Sequence, residues 1–352
     1  MASILVIGAR GIPDVEGGAE KNAEELFPRL VEAGHAVTLL SLEKNVRAPT
    51  YRGVKLLPAP TFWLLKTDKL IYYCAGIFYA ARQRPDIVHL QGLGAALFLW
   101  VYKLLGLRVV VRYGSADYVL AKWGLVGKAG FLAAEFQLRF ANAVISVSDT
   151  LTRRLNGHGI TSRVHSIPNA LDAPEPQWPG WRHGRPYILA VGRVTFQKNI
   201  DTLLKAFSLL SVENPDFDLR IVGSLSDTAY VASLSALTTP HVIMTGAAMR
   251  SEVPQQLSEC ALYVNLSHHE GNSNATLEAI SHGCPVLVSD LPENREMPLM
   301  PENFVDRHDV DAIVAAFKAA LTNPERFVVN RAGFLNWDDV ARKTNSVYLA
   351  IL

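Results

Sequence analysis

Cysteine is scarce. The 352 residues hold three, Cys74, Cys260 and Cys284, far apart in the chain and in apolar surroundings. That number and spacing exclude a disulfide framework or a cysteine metal site and imply a reducing cytosol. Long apolar runs are missing too. The most apolar stretch, Leu93 to Leu107, is broken by Lys103 and is shorter than the roughly 20 residues that cross a bilayer, so it is expected as a buried helix beside a sheet. The opening MASILVIGARG carries no basic segment ahead of a strand-length apolar run, which speaks against a secretory signal. No H-E-x-x-H spacing occurs, and the consecutive His268, His269 and Glu270 sit too close along one backbone to converge on an ion. Neither a metal nor another cofactor is expected. Gly8 and Gly11 do not complete G-x-G-x-x-G, which weakens a dinucleotide reading.

What is present is apolar and periodic. Hydrophobic residues make up 49% and charged residues 19%, a balance that suits parallel sheets buried on both faces. Strand-length runs occur at Ile4 to Ile7, Val37 to Leu40, Ile87 to Leu90, Val109 to Val111, Val144 to Val147, Ile188 to Val191, Leu219 to Val222, Val242 to Met244, Leu262 to Leu266 and Val286 to Val288. Helical stretches alternate with them. The rhythm spans two halves, so the fold class is α/β, with two doubly wound Rossmann-like domains. Residues 171–186, with four prolines and two tryptophans, read as the linker. The expected domains are 1–170 and 187–334, and the helical spacing of 335–352 marks a final helix.

Three segments carry chemistry. In HHEGNSNATLEAISHGCPV, a strand runs into a Gly, Asn and Ser loop and a helix opens near Asn274. A helix start offers unpaired N–H groups and the positive end of the helix dipole, a fit for a diphosphate. Glu270 lies in the loop and Glu278 just inside the helix, so two carboxylates flank an anion site without filling it. Upstream, ILAVGRVTFQKNI ends a strand at Gly192 and places Arg193 and Lys198 in one strand-to-helix loop. Cations are disfavoured at a helix start, so this pair calls for an anion. Two charges 4 Å apart attract by about 4 kcal/mol at an effective dielectric of 20, before desolvation. Third, Gly17 and Gly18 permit close backbone approach to a ligand ahead of a helical pattern from Glu20 to Leu30. The plain alternatives are a solvated acidic loop, solvated cations and a flexible turn.

The order of these residues resembles family 4 of the retaining glycosyltransferases, with the GT-B architecture. An apolar strand into Ser267, then Glu270-Gly271, Glu278-Ala279, Gly283 and Pro285-Val286, matches that family's pattern. Gly192-Arg193 with Lys198-Asn199 matches a second part, and IPNALD a third, with Ala170 in place of the usual Gly. The resemblance implies transfer of a sugar from a nucleotide-diphosphate donor to a glycan or lipid-linked acceptor, with retention and without a metal. It implies Arg193, Lys198 and Glu270 as catalytic groups, Glu278 on the ribose hydroxyls, and Gly17, Gly18, Gly271, Asn272, Ser273, Asn274 and Ala275 around the donor. It also implies that the final helix packs back onto the first domain. One departure stands out: many family members place a His after the strand that here reads VVVRYGSAD. Arg112 and Tyr113 occupy that neighbourhood, and His89 in DIVHLQG matches another frequent His. These three are the acceptor-side candidates.

Partners follow from charge. Residues 1–168 hold 20 Lys and Arg against 12 Asp and Glu, a net of +8, while residues 169–352 hold 14 against 21, a net of −7. A basic first half carrying Tyr72, Tyr73, Phe78, Trp100, Trp123 and Phe131 suits contact with anionic headgroups at the inner face of the plasma membrane. No nucleic-acid motif accompanies the charge. The donor could be a UDP-, GDP- or dTDP-sugar, and bacterial surface polysaccharide is the expected pathway class. Two rivals share the fold: a nucleotide-sugar epimerase or hydrolase, and a non-catalytic regulator that binds nucleotide sugar.

Overall fold

β-Branched and leucine runs that cannot expose either face become central strands of parallel sheets. The structure, a computed structural model, describes residues 1–60, 69–115, 124–161, 163–173, 181, 184–248 and 252–352. Most of the expected linker, and Trp123, lie outside the described residues. The chain forms two units, Met1–Asn169 with Trp337–Leu352, and Ala170–Asn336.

In chain order the first unit contains β1 (Ser3–Ile7), α1 (Gly18–Glu32), β2 (Ala36–Leu42), β3 (Thr50–Tyr51), β4 (Val54–Ala59), α2 (Lys69–Gln83), β5 (Ile87–Gln91), α3 (Leu99–Leu104), β6 (Arg108–Tyr113), α4 (Leu125–Gln137), β7 (Ala143–Ser146), α5 (Asp149–Gly157) and β8 (Val164–Ser166). Its sheet has the order β3-β4-β2-β1-β5-β6-β7-β8. Every pairing is parallel except the short β3 on β4. Strand order reverses between β1 and β5, so the crevice at their carboxyl ends is where such sheets bind ligands. Gly8 ends β1 there with φ 123°, and a Cβ on it would lie 2.2 Å from the Gln91 carbonyl oxygen. Only glycine lets the two strand ends approach so closely.

The second unit contains β9 (Tyr187–Val191), α6 (Ile200–Glu213), β10 (Asp218–Val222), α7 (Thr228–Ser233), β11 (Val242–Gly246), α8 (Val253–Glu259), β12 (Leu262–Asn265), α9 (Asn274–Ser281), β13 (Val286–Ser289), β14 (Phe304–Val305) and α10 (Val310–Thr322). Its parallel sheet runs β11-β10-β9-β12-β13-β14, which puts the reversal between β9 and β12. Ile188, Leu189, Leu262, Leu287 and Val288 are completely buried. Each such side chain contributes about 1.5–3 kcal/mol of hydrophobic stabilisation. The last helix, α11 (Trp337–Ile351), belongs to the first unit: Val340 and Tyr348 are fully buried, Asp338 pairs with Arg29 at 2.7 Å and Asn345 Oδ1 lies 2.7 Å from His35 Nε2.

Two expectations are corrected. Leu93 to Leu107 is not one buried helix: a 3-10 turn, Ala95–Phe98, precedes the six-residue α3, and Trp100 and Leu104 are exposed. The aromatic set divides, because Tyr72 and Tyr73 are core residues and Phe131 packs against that core, while Phe78 and Trp100 face outward. Tyr72 even donates into the sheet's carbonyl edge, with its hydroxyl 2.9 Å from the oxygens of Ala9 and Leu40. Cys260 and Cys284 are neighbours, their sulfurs 3.4 and 2.7 Å from the Leu257 carbonyl oxygen.

Gly8→Ala is expected to destabilise the protein by about 1–3 kcal/mol in urea unfolding, because the side chain meets backbone that cannot yield. Gly114→Ala, where an added Cβ meets nothing within 4 Å, is expected to leave the midpoint nearly unchanged.

Candidate active site

The loops that leave β9 and β12 flank the strand-order reversal of the second unit, and they are stapled together. His268 N–H donates to the Gln197 carbonyl at 2.8 Å, and Gln197 Nε2 returns a bond to the His269 carbonyl at 2.9 Å. The Phe196 ring stacks on His268 with centroids 4.8 Å apart. Between these staples Lys198 Nζ meets Glu270 Oε1 at 2.6 Å. The lysine reaches that position because Gly192 lacks a side chain: a Cβ there would lie 3.0 Å from Lys198 Cε. Asn199, in the left-handed region at φ 54°, then turns the chain into α6 and is anchored by Nδ2 to the Arg307 carbonyl at 2.9 Å.

Glu270 is held from several sides. Its Oε1 accepts from Asn265 Nδ2 at 3.2 Å and lies 2.7 Å from Ser267 Oγ. Ser267 Oγ is also 2.5 Å from Asn265 Oδ1, and its single proton serves one acceptor at a time. Burial pushes the Glu270 carboxyl up, but the Lys198 charge and the bonds from Lys198, Ser267 and Asn265 outweigh it, leaving the group below the ordinary carboxylate value. The carboxylate is therefore ionised and positioned at neutral pH.

Past Glu270, the buried Gly271 and half-buried Asn272 lead to Ser273, the N-cap of α9, whose side chain accepts from the Thr276 N–H. Asn274 and Ala275 open the helix, and Glu278 follows on its second turn, half-buried. Arg193 is exposed on the same loop as Lys198 and has no hydrogen-bond or ion-pair partner among the described residues. Only one of the two expected cations thus meets a carboxylate there, and the other is open to solvent. Two Asp-x-Asp triplets lie in this unit, and one carboxylate of each is engaged in the fold: Asp218 pairs with Arg185 at 3.0 Å, and Asp309 caps α10 through the Ala312 N–H at 2.9 Å.

The first-unit candidates sit differently. His89 is completely buried, with Nδ1 2.6 Å from the Tyr348 hydroxyl and its ring edge-on to Phe27. Burial, then the Arg112 charge, lowers its pKa to about 3, so it is neutral. Tyr113 is also fully buried and bonds Glu135 Oε2 at 2.5 Å. Both side chains are buried, because these strand positions face the covering helices. Arg112, 3% exposed, donates to Asn169 Oδ1 at 2.8 Å and to the Ile167 carbonyl at 3.4 Å. Burial lowers its pKa to about 10, so it stays charged at neutral pH. Gly17, at φ 136°, precedes α1, and a Cβ there would lie 2.1 Å from Glu20 Oε2 and 3.0 Å from Arg10 Nη2. Its absent side chain makes room for the Arg10–Glu20 ion pair, 2.8 Å long. Gly18 is the first residue of α1.

The chain is similar to known proteins over most of its length. The profile described as Glycosyltransferase Family 4 matches residues 16–174, and the one described as Glycosyl transferases group 1 matches residues 174–330. The chain belongs to family 4 of the glycosyltransferases. One component of the human phosphatidylinositol N-acetylglucosaminyltransferase is 26% identical over 369 residues, covering 94% of this chain and 73% of the relative. Sucrose-phosphate synthase from Thermosynechococcus elongatus shares the fold at TM-score 0.81 and 18% identity, over 100% of this chain and 99% of the neighbour. Anabaena HepE, solved with UDP and glucose, does so at TM-score 0.72 and 13% identity, over 100% and 98%. The architecture is thus that of the GT-B glycosyltransferases.

In this glycosyltransferase the supporting roles of Asn265 and Thr276 went unrecognised in sequence, and Ser267 counted only as the end of a motif strand. Their signal was a polar residue, Asn265, closing an otherwise apolar strand. Two stability tests follow. Glu270's folded pKa is depressed, so its contribution is present above its unfolded value near 4.5 and lost as pH falls through the folded value. Glu270→Gln is expected to lose that part of the acid dependence in urea titrations as pH falls below about 4.5. His89 stays neutral down to about 3 while the unfolded chain protonates near 6.5, so stability falls with acid across that window. His89→Asn is expected to flatten that slope.

Proposed function

We propose that this glycosyltransferase takes a sugar from a nucleotide-diphosphate donor bound at the β9–β12 reversal and transfers it with retention. The observation that carries the reading is the Lys198–Glu270 pair beside the opening of α9, both on loops at the carboxyl ends of parallel strands. Cleaving the anomeric bond leaves negative charge on the β-phosphate. Lys198, the solvent-open Arg193 and the N–H groups of Ser273 to Ala275 supply fixed positive charge to receive it, the usual largest source of such rate enhancement. Glu270, ionised and held in place, accepts hydrogen bonds from hydroxyls of the transferred sugar. Glu278 accepts from the ribose hydroxyls. The leaving phosphate takes the acceptor's proton on the same face, and the carboxylates act as positioning groups rather than as the acid and nucleophile of a glycosidase.

UDP is the first nucleotide to test, because the HepE neighbour was solved with it. A lipid-linked acceptor at the inner membrane face, feeding surface polysaccharide, accords with the human relative named for phosphatidylinositol and with exposed Phe78 and Trp100. Among the described residues no helix is long and apolar enough to cross a membrane.

Lys198→Ala is expected to lower kcat roughly 10²–10³-fold, the effect of removing one preorganised charge-stabilising group. Glu270→Gln should cut kcat while changing UDP affinity little, because its partner is the sugar. Both are read from release of nucleoside diphosphate together with appearance of a glycosylated product, with the anomer assigned by NMR. Unchanged turnover in Lys198→Ala would sink the assignment.

A further inference from the structure

Each member of the Lys198–Glu270 pair stands two residues along the chain from an aromatic ring, and those two rings stack. Phe196, on the loop after β9, and His268, on the loop after β12, have centroids 4.8 Å apart and planes inclined by 30°. His268 also stacks on His308, from the loop after β14, at 5.5 Å and 27°. Near-parallel rings at such separations are an arrangement that aromatic side chains favour. Three loops thus contribute one ring each to a single column.

The column joins parts that the sheet does not join directly. β13 separates β12 from β14, so no backbone ladder runs between the strands that carry His268 and His308. The loop after β14 is fastened independently: Asp306 Oδ1 accepts from the His308 N–H, and the Arg307 carbonyl accepts from Asn199 Nδ2, each at 2.9 Å. Asn199 follows Lys198 directly, so that bond anchors the far side of the lysine's turn. Phe196 is 53% exposed and adds little to the core; what it touches is His268 and, edge-on, the Tyr230 ring. His268 is half-buried, and neither of its ring nitrogens makes a hydrogen bond among the described residues. Burial first, then His308, Arg307 and His269, hold its pKa below the ordinary value against the opposing pull of Asp201, so the central ring is neutral at neutral pH. Stacking is therefore what this side chain contributes.

We propose that His268 is a positioning residue, whose ring, stacked on Phe196 and His308, holds the loop after β12 where Glu270 meets Lys198. Its effect on the sugar donor rests on the reading of Glu270 given above; its effect on the carboxylate does not.

The test follows the Glu270 carboxyl itself, by carbon NMR titration of the full chain labelled at its glutamate carboxyls, with Glu270→Gln identifying the resonance. Calorimetry with UDP and with UDP-glucose runs alongside. In the wild type the carboxyl titrates below the ordinary 4.5. His268→Ala is expected to raise that midpoint by about one pH unit, which is tenfold in proton affinity, because burial then acts with less of the lysine's compensation. UDP-glucose should bind about tenfold more weakly and UDP equally well. Phe196→Ala, at an exposed ring, removes the same stack from its partner's side and should act likewise even if His268→Ala does not fold. His268→Phe keeps a stacking ring and is expected to restore the wild-type midpoint and UDP-glucose affinity. A folded alanine variant with the Glu270 midpoint unmoved, or a His268→Phe variant shifted as far as His268→Ala, overturns the proposal. A shifted midpoint in a protein whose wild type binds neither UDP nor UDP-glucose upholds the positioning role and removes the donor reading instead.

Discussion

The contact between Lys198 and Glu270 organises the second unit. It joins a loop from β9 to a loop from β12, the two strands between which the order of the sheet reverses. An ion pair that is largely buried gains little net stability, because desolvation offsets the attraction, and removing one partner is costly. Its value is positional. It keeps an ionised carboxylate and an ammonium in register with the opening of α9, and the stapling bonds between Gln197, His268 and His269 reinforce the same geometry.

The local backbone serves that contact. Gly192 leaves space for the lysine stem, Asn199 takes a left-handed conformation to start α6, and Gly223 allows β10 to end against β9, since a Cβ on it would lie 2.1 Å from the Gly192 carbonyl oxygen. Around the carboxylate, Asn265, Ser267, Ser273 and Thr276 form a buried polar cluster, with the Asn265 amide 3.2 Å from both Ser273 Oγ and Thr276 Oγ1. Such a cluster is stable only when its donors and acceptors are matched, and this one is arranged around a single charged oxygen.

Much of the architecture was legible because the central strands are apolar on both faces. Val109 to Val111 and Ile188 to Val191 leave no polar face for any other arrangement. β3, β4, β8 and β14 were not legible: β3, β8 and β14 are only two or three residues long, and β4 interrupts its apolar pattern with Lys55 and Pro58. In the site, spacing brought Glu270, the α9 opening and Lys198 into one reading, since each sits in a loop at a strand's carboxyl end. Burial was not legible. His89 and Tyr113 look functional in a one-dimensional string, yet the alternation of a strand points them into the core. Cys260 and Cys284 meet only because α8 and the turn before β13 fold together, which sequence distance hides.

The first unit is assembled from two separate stretches of chain, and Tyr348 from the second closes over His89 from the first. During synthesis on a ribosome, the segment Ala170–Asn336 leaves the exit tunnel ahead of the stretch Trp337–Leu352 that completes its neighbour. The earlier-made portion must therefore wait, with the apolar surface destined for Val340, Val347 and Tyr348 uncovered, until Trp337–Leu352 has left the exit tunnel. Order of manufacture and order of completion are reversed in this polypeptide.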